Sequence, residues 1–339
     1  MMDATTDRPM TELELTFRSF RGEPDAVEMA RISNAANEAD GVDERNSPRE
    51  LLNFFSHPGE HLDPAQDVVM VEHDGLVVAY GWHNWIDTTD RVREGRIGGY
   101  VHPEWTHRGI GRRLMHWLEA RARASVLEHP TELPAAYGSW ADERRTGKHV
   151  LFQQEGYAVA RRFYEMRRDD LGMVESVPVP DGLEIRPMPA DRASLRRLLD
   201  ADAEAFKDHW GGWAADDAAF EEWLNEPNFD PSLFVVAWDG DEIAGAVINH
   251  IPRLENEAMG RRRGWLESVF VRRPWRRRGL AQALVTRSLE LLHQRGMEHA
   301  MLGVDADNPT GAVGVYERAG FVVAFSSMAY RKPMEDASQ

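Results

Sequence analysis

Trp265 to Leu292 reads WLESVFVRRPWRRRGLAQALVTRSLELL, and this stretch decides the fold. The run Leu266–Val271 predicts a strand, Gly279 then allows a tight turn, and a helix begins directly after it. Leu280, Ala281, Leu284, Val285, Leu289, Leu291 and Leu292 form a wide apolar stripe, so this helix is expected to pack on a sheet. Its unpaired N–H groups and positive dipole end face whatever lies in the turn. Arg276, Arg277 and Arg278 add charged donors suited to phosphate oxygens, and together these features predict a pyrophosphate cradle. The plainer alternative is an ordinary strand-to-helix turn with solvated arginines.

The same plan occurs earlier, which makes the chain a tandem repeat. Ile97–Val101 precedes Arg108-Gly109-Ile110-Gly111 as Leu266–Val271 precedes Arg278-Gly279-Leu280-Ala281, and the step from Val101 to Gly109 equals that from Val271 to Gly279. Upstream, Val68–Trp82 and Phe234–Ile248 are paired apolar runs joined through Asp74-Gly75 and Asp239-Gly240-Asp241, predicting two hairpins. Leu13–Phe20 and Leu183–Met188 open the halves as strands that feed helices, and each half closes with strand, helix and strand. Gly156 and Gly320 stand where helices end on glycine. Asp169–Gly182 has the prolines, glycines and acids of a linker, so a boundary near residue 175 separates domains at 11–168 and 183–332. Residues 1–10 and 334–339 are expected to fray. The expected class is α/β, two tandem domains, each a mixed twisted sheet flanked by helices.

Composition agrees with two globular cores. The 339 residues are 42% hydrophobic and 29% charged, and no run approaches the ~18–20 apolar residues of a membrane span. Forty basic against 57 acidic residues give a net charge of −17, which opposes nucleic acid and anionic lipid and tolerates a cationic substrate. With no cysteine there is no disulfide, thiolate metal site or catalytic thiol, and no metal is expected. The opening MMDATTDRPMTELELTF lacks the regions of a signal peptide, so a cytoplasmic protein is expected, monomeric or homodimeric.

Two spaced motifs resemble those of the GNAT N-acetyltransferase superfamily. Arg276-x-x-Gly279-x-Ala281 is similar to its acyl-CoA loop, Gln/Arg-x-x-Gly-x-Gly/Ala, and GVDADNPTGAVGVYERAGF at Gly303–Phe321 to its later signature. The resemblance covers roughly 13–168 and 183–332 and implies a mixed sheet splayed at a bulge after the fourth strand, with the pantetheine arm in the cleft. It implies acetyl-CoA, or another short acyl-CoA, as cosubstrate, and a small-molecule amine as acceptor. On the cofactor side it points to Val269, Phe270, Val271, Arg276, Arg277, Arg278, Gly279, Leu280, Ala281 and Asn308. Main-chain N–H groups at Phe270 and Val271 would hold the thioester oxygen and its oxyanion. The tandem plan and the run VDADNP are also similar to the mycothiol synthase family, whose acceptor is a cysteinyl amino-sugar.

An alkyl amine with a pKa of ~10.4 is neutral in only about one molecule in two thousand at pH 7, so transfer needs a base. Glu267 lies on the strand before the cradle and, by alternation, is expected to share a face with Val269 and Val271. Some family members carry a glutamate at this place. Tyr316, eight residues after Asn308, matches the tyrosine that protonates the leaving thiolate. The plainer readings are a surface glutamate paired with arginine and a packed tyrosine.

The first half looks degraded. Val101, Arg108, Gly109 and Gly111 retain a vestigial cofactor site, but Thr106 replaces the motif's first residue. Ile97 aligns with Glu267 and Phe152 with Tyr316, while Asp142 and Glu143 fall near Asn308 without its Asn-Pro. This half is expected to be a structural or ligand-binding partner, unless Glu94, His83 or His102 serves instead. Ala205–Trp213 (AFKDHWGGW), followed by Glu221, Glu222 and Glu226, suits a cation-bearing acceptor, although a packed helix with a solvated acidic face is the plainer reading. Arg261–Arg263 could face an acidic acceptor or the cofactor's phosphates. The leading function is acetyl transfer to a small amine; the alternatives are a cysteinyl amino-sugar acceptor or a non-catalytic acyl-CoA-binding module.

Overall fold

The computed structural model describes residues 13–59, 61–207, 209–212, 215–308 and 311–334, so the ends expected to fray lie almost wholly outside it. The first half runs β1 (Thr16–Ser19), α1 (Glu23–Asp40), α2 (Pro48–Ser56), α3 (Pro64–Asp67), β2 (Val68–His73), β3 (Leu76–Asp87), β4 (Arg93–Val101), α4 (Ile110–Glu128), β5 (Ala135–Asp142), α5 (Thr146–Gln154) and β6 (Ala158–Arg168). The second runs β7 (Glu184–Arg186), α6 (Arg192–Phe206), α7 (Asp217–Leu224), β8 (Val235–Asp239), β9 (Glu242–His250), α8 (Arg253–Met259), β10 (Arg263–Val271), α9 (Leu280–Gln294), β11 (His299–Asp305), α10 (Ala312–Arg318) and β12 (Val322–Pro333).

Local chemistry explains most of these boundaries. Asp74 and Gly75 both take positive φ, the twist a two-residue hairpin turn requires between β2 and β3. Ser47 and Glu50 close a reciprocal capping box on α2, and Asp191 and Asp216 cap α6 and α7 by accepting from Ser194 and Ala219 N–H at 3.0 and 2.8 Å. β4 and β10 begin earlier than the apolar patterns suggest, at Arg93 and Arg263. Both arginines are buried because each is paired, Arg93 with Asp87 at 2.6 Å and Arg263 with Glu255 at 3.0 Å, so charge hides the strand start in the sequence.

All twelve strands form one sheet, ordered β1-β2-β3-β4-β5-β12-β6-β11-β10-β9-β8-β7. The repeats therefore share a sheet, and their last strands are exchanged. β12 pairs antiparallel with β5 of the first half, β6 pairs antiparallel with β11 of the second, and β6 and β12 pair with each other. The side chains follow: Met166 of β6 is fully buried in the second half's core, and Tyr330 of β12 in the first half's. Arg161 on β6 makes a two-pronged ion pair with buried Asp305 on β11, at 2.8 and 2.9 Å.

The two parallel pairs are short. β4 pairs with β5 only from Arg93 to Arg96, and β10 with β11 only from Arg263 to Trp265. Beyond those points the strands part, leaving a wedge in each half. Residues 169–182 do not hang free between the halves. They run antiparallel to α9, with Gly172 against His293, Val177 N–H donating to Thr286 Oγ1 and Asp181 C=O accepting from Arg278.

Because each core holds a strand of the other half, the halves should unfold together. Calorimetry is expected to show one transition, and Met166→Ala to lower it as a unit, costing about 2–4 kcal/mol. Two transitions, with only one moved by the substitution, would contradict this coupling.

Candidate active site

The loop between β10 and α9 is built as a backbone concavity. A 3-10 turn at Arg273–Trp275 leads to Arg277 at φ 61° and Gly279 at φ 84°, the latter heading α9 with the helix's first N–H groups behind it. Alternation of left-handed and ordinary residues turns successive N–H groups inward, which suits an anion. Space around Gly279 is open, with nothing within 4 Å of where a Cβ would stand, so the loop fits a diphosphate. The three arginines divide. Arg276 points inward, donating to the carbonyls of Val271 and Ala205 at 2.9 and 3.1 Å, and Arg278 donates to Asp181 C=O at 2.9 Å. Arg276 thereby braces the end of β10 against α6, Arg278 is tied to residues 169–182, and Arg277 stands at the turn itself.

Glu267 falls where β10 bulges. Leu266 lies opposite Asn249 and Ser268 opposite Ile248, so Glu267 is an extra residue in the strand. The bulge breaks the alternation that was expected to set Glu267 on one face with Val269 and Val271. Asn249 bonds Ser288 of α9, so Leu266, Val269 and Val271 take the α9 face, whereas Ser268 bonds Asp202 of α6 on the other. Glu267 lines a cleft of about 690 Å³ together with Ile248 and His250.

Both halves line that cleft, the first with Glu50 and Phe54 of α2, Asn84 of β3 and Arg96 of β4. Sequence reasoning missed these residues, since nothing local links them to Glu267. Asn53 Nδ2 donates to Glu222 C=O at 3.0 Å and Asn228 Nδ2 to Glu50 at 3.1 Å, tying α2 to the end of α7. Of the acids singled out earlier, Glu221 pairs outward with Arg192, while Glu222 and Glu226 line the cleft. Burial raises the carboxyl of Glu222, and burial with Glu50, Glu222 and Glu267 nearby pushes Glu226 up to about 7.

The aromatic stretch does different work. His209 packs on Phe206, and Trp210 meets Phe163 of β6 and the guanidinium of Arg331 from β12, so this stretch seals the seam between the halves. Asp208 and Trp213 lie outside the described residues. Arg261 and Arg263 both pair with Asp43 and Glu255, and Arg262 pairs with Glu298, which commits all three to ion pairs within the chain.

Tyr316 is buried on α10 edge-on to Phe321, and burial alone drives its phenol above the usual range, so it keeps its proton. Asn308 follows β11 and closes the turn into α10 by accepting from Gly311 N–H at 3.3 Å.

In the first half, Val101, Gly109 and Gly111 line a cleft of about 860 Å³, with Gly109 at φ 78° heading α4. Arg108 stacks over Trp105 at 4.7 Å, away from the lining. Ile97 and Phe152 put apolar groups on the walls, and Lys148, pushed down to about 7 by burial, sits over the rings of Tyr100 and Phe152. None of the three substitutes lines this cleft: Glu94 is buried between Arg96 and Arg331, burial pushes His83 down to about 4, and His102 faces Glu104.

A wedge between parallel strands, closed at one end by a left-handed glycine at the head of a long helix, defines the acyl-CoA N-acyltransferase class of folds. Residues 29–137 and 195–321 match the Acetyltransferase (GNAT) family, and the chain belongs to that family. It is an N-acetyltransferase with two tandem repeats, from a family that uses acetyl-CoA. The mycothiol acetyltransferase of Geodermatophilus obscurus is 31% identical over 311 residues, 89% of this chain and 92% of its own. A GCN5-related N-acetyltransferase from Sphaerobacter thermophilus matches with a TM-score of 0.68 at 27% identity, covering 96% of this chain and 98% of its own. A tandem GNAT protein from the clavulanic acid biosynthesis pathway, 16% identical, shares the fold with a TM-score of 0.67 over 94% of this chain and 98% of its own. Among the described residues no helix is long and apolar enough to cross a membrane.

Burial holds Asp202 up to about 6, against an ordinary 3.8, although Ser268 Oγ donates to it. A raised carboxyl stabilises the fold fully below its unfolded pKa, and that contribution is lost as pH rises through about 6. Asp202→Asn is therefore expected to gain about 2–3 kcal/mol on the parent protein between pH 4 and pH 7.5. Urea melts at both pH values check this, and an unchanged gap would contradict it.

Proposed function

We propose that the second half transfers an acetyl group from acetyl-CoA to the primary amine of a small molecule. The observation that carries this reading is Glu267, the extra residue of a bulge, standing in a cleft large enough for a small acceptor on the strand that leads into the anion-binding turn. Glu267 takes a proton from the incoming ammonium, directly or through a water, and the freed amine attacks the thioester carbonyl. The main-chain N–H of Val271, which faces the wedge while that of Phe270 turns to β9, stabilises the oxyanion, and Tyr316 gives its proton to the departing thiolate. A phenol kept neutral by burial suits that last step. The loop Arg277–Ala281 holds the diphosphate, with Asn308 toward the pantetheine arm.

A cysteinyl amino-sugar acceptor is the second reading, favoured by relatives named mycothiol acetyltransferase. The first half serves as a structural or ligand-binding partner, because Ile97 and Phe152 stand where a base and an acid are needed.

Thiol release from acetyl-CoA, measured over a panel of primary amines and the cysteinyl amino-sugar, tests the proposal. Glu267→Gln and Tyr316→Phe are each expected to lower kcat by about 10²–10⁴ while CoA binding persists in calorimetry. Full activity in either variant would remove that residue from the mechanism, and CoA binding without release on any amine would favour a non-catalytic module.

A further inference from the structure

The cleft of the first half holds a nucleophile that the transfer reading does not use. The chain's lysines are Lys148, Lys207 and Lys332. Lys332 pairs with Glu119 at 2.9 Å and Lys207 is exposed, whereas Lys148 lines the wedge where β4 and β5 part. It stands in the first turn of α5, four residues ahead of Phe152, so the two side chains share a helix face. Its Nζ lies 5.6 Å from the centre of the Tyr100 ring on β4 and 5.8 Å from that of Phe152. The charged groups that act on it, Arg145 and Asp40, pair with each other at 3.4 Å, and Asp142, which acts on Asp40, is held by Arg144 at 2.6 Å. Among the described residues no carboxylate forms an ion pair with Lys148.

The second half has Ala312 at the matching place, four residues before Tyr316. A methyl group on one side of the repeat is thus replaced by a long amine on the other. The anion-binding turn is kept as well: His107 at φ 60° and Gly109 at φ 78° repeat Arg277 and Gly279. Nothing stands within 4 Å of where a Cβ on Gly109 would be, and α4 runs on from that turn for 19 residues.

We propose that Lys148 is an acylation site, taking an acetyl group from acetyl-CoA bound in the first half's cleft. The neutral amine attacks the thioester carbonyl carbon, and an amide C–N bond forms as the C–S bond breaks. The electron pair leaves on the CoA sulfur, and the proton shed by nitrogen reaches that thiolate through solvent. Such a step needs no base at Ile97 and no acid at Phe152. Burial pushes Lys148 down to about 7, so about half of it is neutral at pH 7, against about one part in two thousand for an exposed lysine. The product also suits the wedge better than the reactant, because an acetylated lysine carries no charge and the surroundings offer rings rather than a counter-ion. This inference goes beyond the transfer reading and shares with it only the cosubstrate.

Incubation of the full chain with acetyl-CoA, followed by intact-mass measurement and peptide mapping, tests it. One acetyl group is expected, on Lys148, formed at least about tenfold faster than on Lys207 or Lys332. Its rate is expected to rise with pH and level off above about 7, to fall when free CoA competes for the cleft, and to persist in Glu267→Gln. An unmodified Lys148, similar rates at all three lysines, or labelling indifferent to CoA would overturn the inference, the last two being ordinary chemical acetylation. Labelling lost in Glu267→Gln would overturn it too, since the second half would then be the source. Thiol release from acetyl-CoA with added amines, followed in Lys148→Arg, reports separately on the transfer reading. Acetylated Lys148 without amine-dependent release leaves this site standing and removes that reading, whereas release with Lys148 unmodified does the reverse.

Discussion

The pairing of β6 with β12 is the constraint on which the rest depends. Each strand ends its own half of the chain and completes the other's sheet, so neither half has a finished edge alone. The exchange fixes how the repeats face each other, because a register of backbone hydrogen bonds leaves no freedom to slide. It also brings Arg161 to Asp305 and Arg331 to Glu94, pairs whose buried carboxylates would be left uncompensated if either half were displaced. The seam is consequently as well determined as a core, and a cleft built across it has walls in fixed positions.

Around that seam the polar groups divide into the committed and the available. Arg276, Arg261 and Arg263 look like ligand-binding arginines in the sequence, yet each is directed to a partner inside the fold. What remains toward the wedge is mainly backbone: the turn at Arg277 and Gly279, the first turn of α9, and the β10 edge left unpaired beyond Trp265. Backbone donors held by a turn and a helix lose little entropy on binding, so a site for a long, flexible cosubstrate gains from being built this way. Side-chain carboxylates are concentrated instead in the cleft beside Glu267, in keeping with a chain whose net charge is −17.

Local signals carried most of the fold. The spacing from Val101 to Gly109 and from Val271 to Gly279 reappears as two identical turns, with His107 and Arg277 both left-handed ahead of the glycine. Gly156 and Gly320 end α5 and α10 with the N–H of Tyr157 and Phe321 returning to Phe152 and Tyr316. Features set by distant contacts were invisible. Arg93 and Arg263 belong to strands only because acids far along the chain or across a turn neutralise them. The bulge at Glu267 has no residue signature of its own, so strict alternation assigned the wrong companions. Glu50 and Asn84 join the cleft through a sheet whose strand order no periodicity encodes.

The first half, with Ile97 and Phe152 at the positions that match Glu267 and Tyr316, keeps a full set of strands and helices. Ile97 and Phe152 are apolar and buried, and so add to its core. Its strands cannot be lost, since β6 covers β11 and β5 receives β12. Nor can α2, whose Asn53 and Glu50 fasten α7 and the loop that follows it at the cleft beside Glu267. A repeat that holds up its neighbour's sheet and one wall of the shared cleft is constrained in its interior and at the seam alike.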